Sequence, residues 1–319
     1  MGGPRILVKR DDLTGLAFGG NKTRRLEWFM GEAQRNQADL IIAGASLNSN
    51  HCRQTVAAAN RLGMKTVLVL WGKLEGELQG NLLLDDILGA EVFVVEGADF
   101  QSIRPIFYQK EEEYRGKGYT PFVLDTLGPS GRFGVLAYVD CTVELLAQLE
   151  NQGVVATHVV TAVGSGGTAA GLALGTKLLG SDIQVYGISI RQSRDALLQF
   201  MTKEARQAAA ALGLDVRLTP EEVQVDDRYV GSGYGVATEA EVEAIRLAAR
   251  TEALMLDVTY AGKVMGALID LVEKGRFGPQ DTVVFLHTGG TPSIFSQSRV
   301  LRRRAGEPPL RANGRSVTR

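Results

Sequence analysis

In the stretch "GGNKTRRLE", residues 19–27, two glycines and an asparagine lead directly into Lys22. A lysine on a solvated helix face needs no glycine beside it. A lysine whose amine bonds covalently to a bulky carbonyl compound needs open space, and lysine amines form Schiff bases with aldehydes. Three apolar runs also end in small or polar loops. "LIIAG" leads into "ASLNSNH", which holds Ser49, Asn50 and His51. "VVTAV" leads into Gly164, Ser165, Gly166, Gly167 and Thr168. "VVFLH" leads into "TGGTP", which begins at Thr288. The second loop has the chemistry of an anion site. Its glycines let backbone N–H groups approach an oxyanion, Ser165 and Thr168 add hydroxyls, and a following helix would aim its positive end at the same point. It lacks the GK[ST] of a nucleotide P-loop and does not match G-x-G-x-x-G.

These loops need a scaffold. Short Val/Ile/Leu runs without polar alternation recur at 40–44, 66–71, 91–95, 157–164, 184–190 and 282–287, as expected for strands buried on both faces of a parallel sheet. Amphipathic stretches separate them. One helix is expected over 23–36, with Leu26, Phe29, Met30 and Ala33 on a single stripe, another over 50–62 and a third over 168–179. Alternation of the two types predicts an α/β, doubly wound fold with mostly parallel sheets. Ligands in such sheets bind at the carboxyl ends of strands, so the loops can share one crevice. Small residues at 128–131 suggest a boundary. The basic end, "RRRAGEPPLRANGRSVTR", reads as a frayed tail.

Composition narrows the function. The chain has 319 residues, 45% hydrophobic and 22% charged, with a formal net charge of -1. That is enough for a large core, and it argues against a nucleic-acid or membrane surface as the main partner. Two cysteines without a CxxC and three scattered histidines argue against a disulfide framework or a zinc site and suit a reducing cytoplasm. A Schiff-base lysine, a phosphate cradle and a partner for a ring nitrogen are together what pyridoxal 5'-phosphate (PLP) requires.

In their order, "KRDDLTGLAFGGNKTRRLE", "SLNSNHCRQT", "VGSGGTAAGL", "GYGVA", "YAGK" and "LHTGGTP" resemble fold-type II PLP enzymes, above all D-cysteine desulfhydrase and 1-aminocyclopropane-1-carboxylate (ACC) deaminase. The resemblance runs from Arg5 to about Ser296. It implies a tryptophan-synthase-β-like fold, with a large PLP-binding domain formed by 1–37 and 138–300 around a smaller inserted domain at 38–137. It also implies a cytoplasmic homodimer acting on a small amino acid. Lys22 matches the Schiff-base lysine, Ser49 the serine that assists proton transfer, and Asn50 the residue that holds the cofactor's 3-oxygen. Ser49, Asn50 and His51 match the turn that meets the substrate carboxylate. Residues 164–168 match the phosphate loop, Tyr234 and Tyr260 two active-site tyrosines, and Thr288 the group facing the pyridine nitrogen. The resembling proteins usually carry a further segment before "GGPRILVKRDD", so an early strand and helix are expected to be missing.

Plainer readings stand beside these. The tyrosines could be packed aromatics, His51 could tether its own helix, Cys52 reads as a buried helix residue, and Asp11 and Asp12 read as turn or cap residues. A phosphate binder without chemistry and a catalytically silent PLP binder are the non-enzyme alternatives.

The resemblance also bears on the reaction. ACC deaminases read Tyr-Glu-Gly-Lys where this chain reads Tyr260-Ala261-Gly262-Lys263. Alanine offers the pyridine nitrogen no charge, and Thr288 offers only a neutral hydroxyl, which favours the unprotonated ring. A weaker electron sink suits β-elimination of a good leaving group better than opening of a cyclopropane. D-cysteine is the expected substrate, with L-cysteate and ACC as alternatives. Arg24, Arg25 and Arg53 read equally well as structural.

Overall fold

The computed structural model describes residues 2–128 and 130–301, together with the backbone of 311–312 and 315–316. Most of the basic tail expected at 301–319 lies outside the described residues. Two parallel sheets organise the chain. The larger contains β1 (Arg5–Arg10), β9 (Thr282–His287), β6 (His158–Val163), β7 (Gln184–Ser189) and β8 (Gln224–Asp226), in that order. The smaller runs β4 (Glu91–Val95), β3 (Lys65–Trp71), β2 (Leu40–Ser46), β5 (Pro121–Val123). Every ladder in both sheets is parallel.

Helices cover both faces of each sheet. Helices α5 (Gly131–Asn151), α6 (Gly167–Leu178) and α7 (Arg194–Ala211) share one core with the larger sheet, and that core continues to α1 (Lys22–Arg35) and α2 (Asn50–Arg61) on the smaller one. On the opposite face of the larger sheet, α9 (Ala261–Glu273) packs with α8 (Glu239–Glu252) behind it. Helix α4 (Phe100–Gly116) closes the outer face of the smaller sheet. Helices α3 (Gly80–Ile87) and α10 (Ser293–Ser296) touch one another. We propose 38–137 as the inserted domain and 1–37 with 138–300 as the larger one. All four strands of the smaller sheet lie within 38–137, although α5 runs across the second boundary.

The expected helices form within a residue or two, and Leu26, Phe29, Met30 and Ala33 are all buried. The central strands β2, β3, β6, β7 and β9 are buried on both faces, as their sequences demand. Strand β4 departs from that expectation. It is half-exposed because it forms a sheet edge, where one flank has no neighbour to cover it. Strand β1, whose three apolar residues Ile6 to Val8 are flanked by arginines and a lysine, carried no clear signal.

The register of β1 explains the glycines beside Lys22. Arg10 pairs with His287, so the loops that follow these two strands emerge side by side. The Asn21 N–H donates to the Thr288 carbonyl at 3.0 Å. Gly289 has φ +92°, and a Cβ there would stand 2.7 Å from the Gly20 Cα. A Cβ on Gly20, at φ +130°, would stand 2.7 Å from the Gln54 side chain. Two glycine backbones touch where any side chain would separate them. Gly289→Ala should therefore cost roughly 2–3 kcal/mol, strain and overlap together. Gly63→Ala, at φ +71° with nothing within 4 Å of the new Cβ, should cost about 1 kcal/mol from strain alone. Urea denaturation compares them, and equal losses would refute the contact argument.

Candidate active site

All nine strands of the two parallel sheets deliver residues to one cleft from their carboxyl ends. Its volume is about 1040 Å3, open mouth included. Asn21, Lys22 and Arg25 follow β1, Ser46, Ser49, Asn50 and His51 end or follow β2, and Trp71 ends β3. Phe100 follows β4, and Thr126 and Leu127 follow β5. Gly164, Ser165, Gly166 and Thr168 follow β6, Ile190 and Arg191 follow β7, Tyr234 follows β8 and Thr288 follows β9. The sequence named three such loops. It also named the Lys22 turn and Tyr234; the structure shows that the Lys22 turn follows a strand, β1, and adds Trp71, Phe100, Thr126, Leu127, Ile190 and Arg191.

Lys22 opens α1 and is half-buried in the cleft wall. Burial, reinforced by the Arg25 charge, pulls its amine down to about 7. A neutral amine at neutral pH is what nucleophilic attack on an aldehyde requires. The Asn21 side chain donates to Thr168 Oγ1 at 3.2 Å and ties this turn to the glycine loop.

In the glycine loop, Gly166 has φ +97° and serves as the N-cap of α6. A Cβ there would stand 2.6 Å from the Met201 side chain. The carbonyl of Gly164 accepts from Gln192 at 3.1 Å. Gly167 differs from its neighbours. It does not line the cleft, and a Cβ there would make only ordinary contact with the Gly134 backbone at 3.4 Å. Helix α6 closes onto α5 further along, at Gly171 and Gly175, where a Cβ would stand 2.4 Å from Tyr138 and 2.5 Å from Thr142.

Arg25 was missed as a cleft residue because α1 presents several basic side chains of similar standing. It is 3% exposed, lines the cleft, and among the described residues has neither a hydrogen-bond nor an ion-pair partner. Burial lowers its guanidinium to about 10. A buried cation without a counter-charge is costly. Its Nε lies where a Cβ on Gly134 would be 3.1 Å away, close to the start of α6. A phosphate at this helix end would supply the missing anion. Arg24 and Arg53 are structural by contrast. Arg24 forks onto Asp11, which also accepts from Tyr138 at 2.6 Å, so Asp11 is a buried hub and not a mere turn residue.

Arg53 is wholly buried, donates to Asn50 Oδ1 at 2.9 Å and reaches the Gly19 carbonyl at 2.8 Å. Asn81 donates to the same Asn50 oxygen at 2.9 Å. The Asn50 carbonyl is thus occupied, and its NH2 group remains for the cleft. Ser49 is the N-cap of α2, accepting from the Cys52 N–H at 3.2 Å, and its hydroxyl proton stays available. Cys52 is buried in the helix, as expected. His51 tethers its own helix and also lines the cleft. Nδ1 lies 3.4 Å from Thr55 Oγ1 on its own helix, while buried Nε2 has no partner. Burial, with Arg25 and Lys22 nearby, holds its pKa well below the usual histidine value.

Tyr234 and Tyr260 meet hydroxyl to hydroxyl at 2.7 Å, with ring planes at 80°. Tyr234 also packs on Trp71, so it reaches across the cleft from one sheet to the other. Burial raises both phenols above their ordinary value, Tyr260 most strongly. They remain protonated donors. Among the described residues no aspartate or glutamate lines the cleft. The fit to PLP is therefore chemical: a depressed lysine amine, an uncompensated arginine, a helix N-terminus behind glycines, and open amide and hydroxyl donors.

Comparisons with known proteins agree. Residues 1–289 match the family described as "Pyridoxal-phosphate dependent enzyme". A protein of Pyrococcus horikoshii named "Putative 1-aminocyclopropane-1-carboxylate deaminase" is 37% identical over 92% of this chain and 86% of its own. A "D-cysteine desulfhydrase" of Yersinia pestis is 34% identical over 92% and 89%. The crystal structure of an ACC deaminase homologue superposes with a TM-score of 0.85 at 36% identity, covering 93% of this chain and 87% of that one. A threonine deaminase of T.th., with a TM-score of 0.59 at 23% identity over 90% and 87%, shares the fold. This chain belongs to the fold-type II PLP-dependent enzymes, in the family of its ACC deaminase and D-cysteine desulfhydrase relatives, and its cofactor is pyridoxal 5'-phosphate.

Proposed function

We propose that the enzyme catalyses β-elimination from a small amino acid, D-cysteine first, to give pyruvate, sulfide and ammonia. The observation that carries this reading is the absence of any carboxylate among the described residues of the cleft wall. Ala261 is buried outside the cleft, with its N–H on Asp257 at 2.7 Å. Asp257 itself is committed to the N–H groups of Thr259, Tyr260 and Ala261. Thr288 is the hydroxyl at that end. A pyridine held by a neutral hydroxyl is a weaker electron sink than one held by a carboxylate, which favours departure of a thiol over opening of a cyclopropane.

Bound PLP supplies the electron sink that acidifies the α-C–H of the amino acid joined to it. The chain's own residues do the rest. Lys22 or Ser49 takes the α-proton as general base, and a lysine amine near 7 is poised for that. The N-terminus of α2, with Ser49, Asn50 and His51, receives the substrate carboxylate. With its proton on Nε2, neutral His51 donates there. Of Tyr234 and Tyr260, both held protonated, the one that accepts from the other donates to the departing sulfur. Residues 164–168 with Arg25 hold the phosphate, and the Asn50 amide NH2 faces the cofactor's 3-oxygen.

A second reading, L-cysteate losing sulfite, is favoured by one observation. Arg191 stands exposed at the cleft wall, where a sulfonate would meet a cation. A cytoplasmic homodimer belongs to the same proposal. Exposed Leu13, Phe18, Ile87 and Phe295 support an apolar contact between copies, and two free cysteines support a reducing compartment.

Keto-acid formation from D-cysteine, L-cysteine, L-cysteate, D-serine and ACC, assayed side by side, tests the substrate. Pyruvate from D-cysteine is expected. Sulfite from L-cysteate alone would move the assignment to the second reading, and 2-oxobutanoate from ACC would overturn the argument from the missing carboxylate. Lys22→Ala should abolish turnover of whichever amino acid reacts, and retained turnover would exclude Lys22. The depressed Lys22 amine is neutral above about 7 and charged below it. Borohydride trapping of PLP on Lys22 should therefore reach half its maximal rate near pH 7 and fall as the pH drops. A midpoint near 10 would place the amine in open water.

A further inference from the structure

Lys263 and Glu241 form a buried ion pair outside the cleft wall. They are 1% and 5% exposed, and Lys263 Nζ donates to Glu241 Oε1 at 2.6 Å. The same amine donates to the carbonyls of Tyr229 at 2.9 Å and Val230 at 3.3 Å. These carbonyls begin the loop that carries Tyr234. Glu241 holds the loop's other end, because its second oxygen accepts from the Thr238 N–H at 2.9 Å while Thr238 caps α8. One side-chain pair thus ties down both ends of the segment 229–238.

The segment needs this. Gly231, Gly233 and Gly235 all have positive φ, and its residues are half-buried or exposed. Beyond the pair, its backbone is held by two 3.3 Å turn bonds, Val230 N–H to the Asp227 carbonyl and Val236 N–H to the Gly233 carbonyl, and by a 3.4 Å bond from Gln297 to the Gly235 carbonyl, while the Tyr229 hydroxyl donates to Asp270 at 2.5 Å. Tyr229, Tyr234 and Ala237 pack on the core only half-buried, so the ties at its ends carry much of its order. Yet it must place the Tyr234 hydroxyl 2.7 Å from Tyr260 and its ring against Trp71 across the cleft.

The "YAGK" stretch is built for this purpose. Tyr260 faces the cleft. The Ala261 N–H binds Asp257. A Cβ on Gly262 would stand 2.5 Å from Ile245, and one on Gly266, a turn later, 3.3 Å from the Glu241 Cα. The two glycines bring α8 close enough for Glu241 to reach Lys263.

We infer that Lys263, paired with Glu241, is a positioning residue that holds the Tyr234 loop closed across the cleft. It touches neither substrate nor cofactor and acts through Tyr234. The inference rests on the reading of Tyr234 as a cleft residue that works in turnover.

Two measurements on the PLP-loaded enzyme test it. Amide hydrogen exchange needs no substrate. Lys263→Met should speed exchange in 229–238 about tenfold or more, leaving 164–168 unchanged. Equal exchange in the loop would overturn the inference. The second is a double-mutant cycle with Tyr234→Phe, read as kcat per bound PLP in the keto-acid assay with D-cysteine, L-cysteate and ACC. Lys263→Met alone should lower kcat roughly 10- to 100-fold, the penalty of a misplaced reacting group, with a much smaller change in KM. In the Tyr234→Phe background it should add little. Additive losses, or a loss traced only to PLP occupancy, would mark the pair as merely structural. If Tyr234→Phe leaves kcat unchanged, the role of Tyr234 falls while the exchange result still decides the hold on the loop. Because Lys263→Met leaves a buried carboxylate without its cation, Lys263→Met/Glu241→Gln and Gly233→Ala are measured beside it. Gly233→Ala disturbs the loop itself, with nothing within 4 Å of the new Cβ, and should show the same non-additivity.

Discussion

The contact between Gly20 and Gly289 sets the geometry on which the cleft depends. Strand β1 lies parallel to β9, so the chain leaves both strands in the same direction and at the same level. The two exit loops would collide if either carried side chains there. Bare backbone lets them touch, and the Asn21 N–H closes onto the Thr288 carbonyl. That places the amine-bearing turn of α1 and the loop of Thr288 side by side in the cleft wall. The remaining strands then add their own carboxyl-end residues around this fixed pair.

Electrostatically, the cleft wall is an unbalanced set of cations and neutral donors. Burial pushes Lys22, Arg25 and His51 each toward its neutral form, and the Arg25 charge adds to this at both Lys22 and His51. No carboxylate answers them among the described residues of the wall. Such an arrangement is expensive when empty and favourable when dianionic phosphate and a substrate carboxylate arrive. The same burial keeps the two tyrosines protonated. Desolvation, acting on cations and phenols in opposite directions, thus prepares a nucleophile, an anion receptor and proton donors in one cavity.

Behind that wall stands a second tier of charge that is hydrogen-bonded within the protein. Arg53 fixes the Asn50 amide and the Gly19 carbonyl. Asp257 gathers three N–H groups at the start of α9, and Lys263 with Glu241 grips the Tyr234 loop. Each places a cleft residue through backbone or amide groups without entering the cleft. Burying such groups is worthwhile only when their hydrogen bonds are nearly complete, and it makes the positions they enforce stiff.

The sequence by itself determined the local half of this protein. Unbroken apolar runs specify strands buried on both faces, helical stripes such as that of Leu26, Phe29, Met30 and Ala33 specify the covering helices, and glycine-rich exits at 164–168 and 288–290 mark the carboxyl ends where ligands bind. Motif order then made the family and its cofactor legible. Tertiary structure decided what depends on distant partners. Gly166 and Gly171 stand in one glycine-rich stretch, yet Gly171 presses α6 onto α5, where a Cβ would stand 2.4 Å from Tyr138, and Gly166 caps the helix at the ligand loop. Arg24 and Arg25 are equally basic, yet one is paired to Asp11 and the other faces the cleft unpaired. Asp11, read as a turn residue, is a buried hub, and strand β4 is left half-exposed by its place at an edge. Periodicity reports which face of an element is buried, but not against what. Whether a charge is compensated, and whether a glycine serves a turn or a contact, is set by residues far away along the chain.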